Sequence, residues 1–226
     1  MDLIDLTHPI TTGMPVYPGD PEVRLSPALT VPDDGVNVQA VHMGSQTGTH
    51  VDAPCHVDDA LPCLDELPLG RFLGPAVVLD ARDVASRAPI GPERLPDGLG
   101  PGTVLLIATG RPRHWGTDEY LAHPYPSPEL AERIVAAGVR TVGIDALSVD
   151  RTPPPDGADF RLDTHRVLLG AHAVVAENLT DLAPLLDAQE EGRRIEVSLF
   201  PLRLRGDGAP VRAVARITGS GCRPGG

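Results

Sequence analysis

The sequence predicts an α/β or α+β protein built around a mixed β-sheet. Three short apolar runs are typical of buried strands: residues 75–80 (PAVVLD), 103–108 (TVLLIA) and 142–145 (VGID). A helix is predicted between the last two runs, over residues 127–138 (SPELAERIVAAG). This alternation of strand, helix and strand indicates a sheet covered by helices.

The predicted helix carries start and stop signals. Ser127 suits the N-cap, Pro128 suits the first helical position, and Glu129 favours the positive end of the helix dipole. Gly138 is expected to end the helix. One apolar stripe runs along it, formed by Leu130, Ala131, Ile134 and Val135.

Further elements are predicted before and after this central region. Before it we expect strands over residues 3–6 and 36–43, the second with partial alternation of apolar and polar residues. After it we expect a short helix over residues 179–187, although Pro184 lies inside it. Two final strands are expected near residues 195–200 and 211–217, separated by a turn at GDGAP.

Length and composition favour one globular domain over residues 1–226, because the chain can bury one substantial core but is short for two. A hydrophobic content of 41% excludes disorder as the main state. No apolar run approaches the ~20 residues of a membrane helix. The acidic N-terminus MDLIDLTHPI, with its early Pro9, resembles neither a secretory signal nor a transit peptide.

Charge and cysteine content narrow the expected partners and compartment. The net charge is 19 − 31 = −12 and no basic run stands out, so neither nucleic acid nor a membrane surface is an expected partner. A small-molecule substrate is expected instead. The three cysteines (Cys55, Cys63 and Cys222) form no even, regular framework, which favours a reducing, cytoplasmic setting.

The stretch QTGTHVDAPCH, residues 46–56, carries the clearest chemistry. His50 and Asp52 are two residues apart, so on an extended backbone both side chains leave the same face. Pro54 then breaks the strand, and His56 can turn back toward the same cavity. Imidazole and carboxylate ligands suit Zn²⁺ or Mn²⁺ better than Ca²⁺. The spacing alone also fits a polar turn with hydrogen-bonded histidines, so the residues leave both interpretations open.

The same stretch resembles the signature of the cyclase-type metal-dependent hydrolases, H-x-G-T-H-x-D-x-P-x-H. That family includes bacterial kynurenine formamidases, isatin hydrolases and proteins described as polyketide cyclases. The similarity covers most of the chain. It extends to DLTHPI, GMPVYPGDP, IATG followed by Trp115, GIDALSVD and FPLRLRGDGAPVRAVA.

The resemblance implies a swivelling β/β/α fold and a homodimer or homotetramer. It also implies two further metal ligands, His165 and Glu177, which are twelve residues apart in THRVLLGAHAVVAEN. Without the resemblance, His165 fits a helix cap or the surface, and Glu177 fits a solvated charge. His172 between them has no family role and is interpreted as structural. His42, upstream of the motif, is a further imidazole without an assigned position.

Gln46 stands where the family pattern has its first histidine. In two-metal members that histidine binds one ion while the aspartate bridges both. A glutamine carbonyl is a neutral and weaker ligand. We therefore expect a weakened or absent second metal, or a single site of His50, Asp52, His165 and Glu177. The alternative is a hydrogen-bonding residue beside the ligands.

The implied reaction is hydrolysis of a non-peptide C–N bond in an aryl formamide or lactam, with a lactone or related ester as a variant. A bound metal would activate water and polarise the substrate carbonyl. His56 would act as general base and then protonate the leaving atom. Aromatic residues are scarce at 3%, which makes Tyr17 and Trp115 candidates to sandwich a flat substrate, although ordinary packing also explains them.

Two other functions compete with hydrolysis. One is a cyclase or dehydratase that acts on a polyketide-like biosynthetic intermediate, with the metal as Lewis acid. The other is a non-catalytic small-molecule binding protein that lost its metal through Gln46. The second is disfavoured, because a protein without catalysis has no evident need for His56.

Overall fold

A computed structural model of the chain describes residues 2–153 and 160–219. The strands are β1 (Asp2–Asp5), β2 (Arg24–Leu29), β3 (Val38–His42), β4 (His50–Asp52), β5 (Leu73–Asp80), β6 (Pro89–Ile90), β7 (Val104–Ala108), β8 (Tyr125–Pro126), β9 (Thr141–Ile144), β10 (Val174–Glu177), β11 (Arg194–Ser198), β12 (Gly208–Pro210) and β13 (Val214–Thr218). The helices are α1 (Val31–Asp34), α2 (Pro128–Ala136), α3 (Asp163–Gly170) and α4 (Ala183–Glu190).

One large mixed sheet organises the described residues. Its strand order is β1-β13-β11-β5-β7-β9-β10-β4-β12. The four central strands β5, β7, β9 and β10 run parallel, and the flanking strands pair antiparallel. Strands β2 and β3 form a separate antiparallel pair, and β6 and β8 a short parallel one. The predicted α/β class with a mixed sheet is thereby confirmed.

The sheet separates two hydrophobic cores because its central strands are buried on both faces. On β7, Leu106 points into one core while Leu105 and Ile107 point into the other. Helices α2 and α3 cover the second core, and α4 packs on the first. Gly143 on β9 has no room for a side chain, since a Cβ there would lie 2.7 Å from Leu179 and 2.8 Å from Leu106.

Helix α2 confirms the predicted capping. The Ser127 hydroxyl accepts a hydrogen bond from the Leu130 amide at 3.2 Å, and Pro128 opens the helix. Leu130, Ala131 and Ile134 are buried. Gly138 follows with a φ of 87°, in the left-handed region that favours glycine, and so ends the helix.

Three local predictions are wrong. Helix α4 begins at Ala183, so Pro184 lies in its first turn, where its missing N–H costs no hydrogen bond. The GDGAP segment is not merely a turn, because Gly208–Pro210 forms β12 and pairs with β4. A disulfide joins Cys55 to Cys63, whose Cα atoms are 5.1 Å apart, although the cysteine spacing suggested no framework.

His123 supplies a pH-dependent part of the stability. Its Nδ1–H donates to the Pro124 carbonyl at 3.0 Å, and its Nε2 accepts from the Thr152 hydroxyl at 2.8 Å. Burial lowers the pKa of His123 from 6.5 to about 4. As the pH falls below 6.5, the unfolded chain takes up a proton that the folded chain refuses, so stability falls.

From the size of this pKa difference, we expect His123 to lower the free energy of unfolding by about 2 kcal/mol when the pH falls from 7 to 5. The substitution His123→Gln should flatten the curve by about that amount. Denaturant titration of metal-free protein at both pH values measures the difference. An equal change in unfolding free energy with pH for the wild type and the variant would contradict this prediction.

No helix in residues 2–153 and 160–219 has the length and apolar character needed to cross a membrane.

Candidate active site

The register of the sheet places the motif QTGTHVDAPCH, residues 46–56, against residues of the C-terminal half of the chain. Strand β4 pairs antiparallel with β10, so that His50 lies directly opposite Glu177. His50 and Asp52 leave the same face of β4, as their spacing predicts. Helix α3 adds His165, which is buried and not on the surface. The site therefore lies at the carboxyl end of a parallel strand, where α/β sheets usually bind ligands.

Four buried side chains converge here, and their donor atoms alternate between imidazole and carboxylate. His50 Nε2 lies 3.5 Å from Asp52 Oδ1 and 3.6 Å from Glu177 Oε2. His165 Nε2 lies 3.6 Å from Asp52 Oδ2 and 3.2 Å from Glu177 Oε1. Donor atoms held about 2.0–2.2 Å from one tetrahedral ion lie roughly 3.3–3.6 Å apart, so these separations are of the size found between metal ligands. Within the described residues, two groups of three have donor atoms close enough together to hold an ion: His50, Asp52 and Glu177, and Asp52, His56 and His165.

Three of these atoms also lack any hydrogen-bond partner among the described residues. They are His50 Nε2, Asp52 Oδ2 and His165 Nε2. Buried polar atoms are normally paired, and leaving one unpaired costs about 1–3 kcal/mol. A divalent cation between them would satisfy all three. The donor types, their spacing and their unmet bonding therefore fit a metal.

The charges of the cluster favour positive charge between the side chains. Asp52 and Glu177 are only 1% and 5% exposed, and no arginine of the described residues forms an ion pair with either. Burial disfavours charge on His50, yet the carboxylates of Asp52 and Glu177 outweigh it and raise the pKa of His50 to about 9. The same balance raises the pKa of His165. Two buried carboxylates thus demand positive charge beside them.

The side chains of the cluster are held in place by the surrounding backbone and by one further carboxylate. His165 Nδ1 donates to Asp150 Oδ2 at 2.7 Å, and this fixes Nε2 as the free nitrogen. His50 Nδ1 donates to the Gly48 carbonyl at 2.8 Å. Glu177 Oε1 accepts from the Val149 amide at 2.7 Å. Asp150 was not found by sequence reasoning, although it ends the segment GIDALSVD.

His56 lies beside this cluster on the short 3₁₀ turn Pro54–His56. The centroid of its ring is 5.8 Å from that of His165. Its Nδ1 lies 3.1 Å from Asp207 Oδ2, a carboxylate that sequence reasoning placed in a plain turn. Burial alone would raise the pKa of Asp207, but hydrogen bonds from His56, Gln46 and Ser45 lower it.

Gln46 does not present a ligand atom to the cluster. Its Oε1 accepts from the Ser45 hydroxyl at 2.6 Å, and its Nε2 donates to Asp207 at 2.9 Å. The same nitrogen lies 3.5 Å from Asp52 Oδ1. The opposite orientation of the amide would place its oxygen against two carboxylates. This geometry supports the hydrogen-bonding alternative for Gln46 and does not support ligation.

The cluster opens into a cavity of about 380 Å³. Tyr17 lines this cavity and meets Phe160 edge to face, with ring centroids 6.5 Å apart. Trp115 is not among the described residues that line it, because its ring stacks on His8 at 3.8 Å. Tyr17, one of the two residues expected to contact a substrate, thus lies in the cavity beside Phe160, whereas Trp115 lies outside the cavity lining.

The other histidines singled out in the sequence lie away from the cluster. His42 is exposed on β3, so it supplies no imidazole to the ligands. His172 is exposed after α3, with a φ of 59°.

Known proteins resemble this chain over most of its length. The family model described as "Putative cyclase" matches residues 4–151. The chain is 34% identical over 222 residues to the kynurenine formamidase of Bordetella petrii, covering 96% of this chain and 99% of that protein. It is 35% identical over 224 residues to the kynurenine formamidase of Salinibacter ruber, covering 96% and 98%.

Solved structures share the fold. Isatin hydrolase A from Labrenzia aggregata, bound to benzyl benzoate, gives a TM-score of 0.81 at 22% identity, covering 95% of this chain and 93% of that one. A predicted metal-dependent hydrolase from Bacillus stearothermophilus gives a TM-score of 0.74 at 27% identity, covering 95% and 97%.

Fold, relatives and site together define a hydrolase with a buried cluster of His, Asp and Glu side chains that could hold a metal ion, at the carboxyl end of a strand of a mixed sheet. The chain belongs to the cyclase family of metal-dependent hydrolases, as its motif predicted.

Proposed function

We propose that this chain hydrolyses a non-peptide C–N bond of an aryl formamide or a lactam, with one divalent metal per chain. The observation that carries the proposal is the convergence beside His56 of three buried donor atoms that have no partner among the described residues, at the end of a cavity that Tyr17 and Phe160 line. Support for the substrate class comes from relatives named kynurenine formamidase and from structural neighbours named isatin hydrolase.

His50, Asp52, His165 and Glu177 would hold the ion. Zinc or manganese in that position supplies a Lewis acid and lowers the pKa of a bound water. Asp150 holds His165 in the tautomer that ligation requires, through its contact with Nδ1.

His56 moves the proton. Its Nε2 accepts a proton from the attacking water while the C–O bond forms, and then donates that proton to the leaving nitrogen as the C–N bond breaks. Tyr17 and Phe160 orient the aromatic ring of the substrate by edge and face contacts. The scissile carbonyl is thereby held next to the buried cluster.

Metal analysis combined with substrate assays tests this function. Purified protein should contain about one zinc or manganese per chain and hydrolyse aryl formamides or lactams. Chelation should abolish turnover, and zinc or manganese should restore it where magnesium or calcium does not. Metal-replete protein that opens neither substrate class, but converts an activated polyketide-like intermediate, would favour the cyclase or dehydratase alternative.

A single substitution addresses the metal count. In Gln46→His, an imidazole replaces an amide whose nitrogen lies 3.5 Å from Asp52 Oδ1. We expect bound metal to rise from about one toward two ions per chain, because an imidazole beside Asp52 would supply a ligand for a second ion. Metal analysis after equilibrium dialysis measures the change. The control Gln39→His adds an imidazole on the exposed strand β3 and should leave the count unchanged.

A further inference from the structure

Asp207 and His56 form a carboxylate–imidazole pair at the rim of the metal cluster. Asp207 Oδ2 lies 3.1 Å from His56 Nδ1. The two residues are far apart in sequence and meet because the segment before β12 folds against the strand that precedes His56. Two backbone hydrogen bonds fasten this contact: the Ala53 amide donates to the Asp207 carbonyl at 2.7 Å, and the Leu64 amide to the Gly206 carbonyl at 2.9 Å.

The neighbours of Nδ1 decide which nitrogen of His56 carries the proton. An unprotonated Nδ1 would direct its lone pair at the Asp207 carboxylate, which is repulsive. Gln46 Nε2, at 3.4 Å, is a long contact and already donates to the same carboxylate oxygen at 2.9 Å. Nδ1 therefore holds the hydrogen, and Nε2 is left with a free lone pair. Because His56 lines the cavity, that lone pair is available to a reacting group.

Gln46 and Ser45 keep the carboxylate in place. The Gln46 amide donates to Asp207, and the Ser45 hydroxyl, 2.6 Å from Gln46 Oε1, fixes the orientation of that amide. The Ser45 oxygen is also 3.1 Å from Asp207 Oδ1. The residue that departs from the family's metal-binding pattern is thus bonded to the partner of His56.

We propose that Asp207, held by Gln46, is the positioning residue of His56 in the hydrolysis proposed above. It fixes the tautomer and ring orientation in which Nε2 accepts the proton of water. It also stabilises the imidazolium that exists until the proton passes to the leaving nitrogen. At the position where the family pattern has a metal ligand, Gln46 therefore supports the general base His56 through Asp207.

A double-mutant cycle on an aryl formamide tests this role. Asp207→Asn should lower kcat about 10–100-fold with KM changed less than about threefold, since a supporting carboxylate is removed but the cavity is intact. His56→Ala should lower kcat more. In the His56→Ala background, Asp207→Asn should change kcat less than about threefold, because its effect passes through the absent imidazole. Equal fold-losses in both backgrounds would overturn the proposal. Asp59→Asn, at an exposed position, controls for the loss of a carboxylate.

A second readout does not need turnover. Nitrogen-15 NMR of zinc-loaded protein should show His56 with its proton on Nδ1, and Asp207→Asn should shift His56 toward a mixture of tautomers, whereas Asp207→Glu should restore much of the Nδ1–H form. An unchanged tautomer in Asp207→Asn overturns the positioning role. If the wild type hydrolyses neither formamides nor lactams, the proposed function fails, and the NMR result still decides the pairing.

Discussion

Replacing Asp52 by asparagine should remove metal binding and turnover together, the largest effect expected of any substitution in this chain. Asp52 is buried between both imidazoles, with Oδ1 3.5 Å from His50 Nε2 and Oδ2 3.6 Å from His165 Nε2. An amide in its place removes one negative charge and turns a donor group toward one of these nitrogens. We expect metal affinity to fall well over ~100-fold, the upper range for residues that only support ligands.

Metal content after dialysis, measured beside kcat on the same preparation, checks this prediction. The exposed Asp59→Asn serves as the matched control and should keep both quantities. Asp52→Asn protein that retains stoichiometric metal and normal turnover would show that these four side chains do not form the catalytic metal site.

Replacing His56 by alanine should lower kcat without lowering the metal content. His56 lies beside the cluster and is held by Asp207 at 3.1 Å, and in the proposed site the ion is bound by the other four residues. We expect kcat to fall ~10²–10⁴-fold, the usual contribution of a general acid–base group, while metal content stays at the wild-type level. Normal turnover in this variant would remove His56 from the mechanism, and concurrent loss of metal would indicate ligation.

The exposed His172 offers a control for the second prediction. His172→Ala removes an imidazole of the same size from a surface position and should alter neither the metal content nor kcat. A loss in both variants would indicate a general effect of histidine removal on folding, which thermal unfolding curves would reveal.

The part of the site that is local in sequence could be predicted from residue spacing. His50 and Asp52 share one face of a strand because side chains alternate with a period of two. The same holds for helix α2, whose cap, apolar stripe and terminal glycine all lie within one short segment. Local rules were sufficient wherever the relevant interactions were local.

The part that depends on pairing between distant strands could not be derived in this way. His165 and Glu177 could be predicted as metal ligands only from the family resemblance. Nothing near them in sequence reveals that Glu177 faces His50 across the pairing of β10 with β4. Asp207 resembled an ordinary turn residue. Gly208–Pro210 is a strand only because β4 lies beside it, and a three-residue strand has almost no signal of its own.

The pairing of β4 with β10 and β12 also has a consequence for how the protein matures. The proposed metal ligands His50, Asp52 and Glu177 meet only after the sheet has closed around β4. The site therefore cannot form early on the nascent chain, and metal capture must follow long-range strand pairing, the slow kind of folding event. Once bound, the ion favours only the closed sheet and stabilises it by mass action. The cation that serves the reaction would then also cross-link two distant parts of the chain at a late stage of folding.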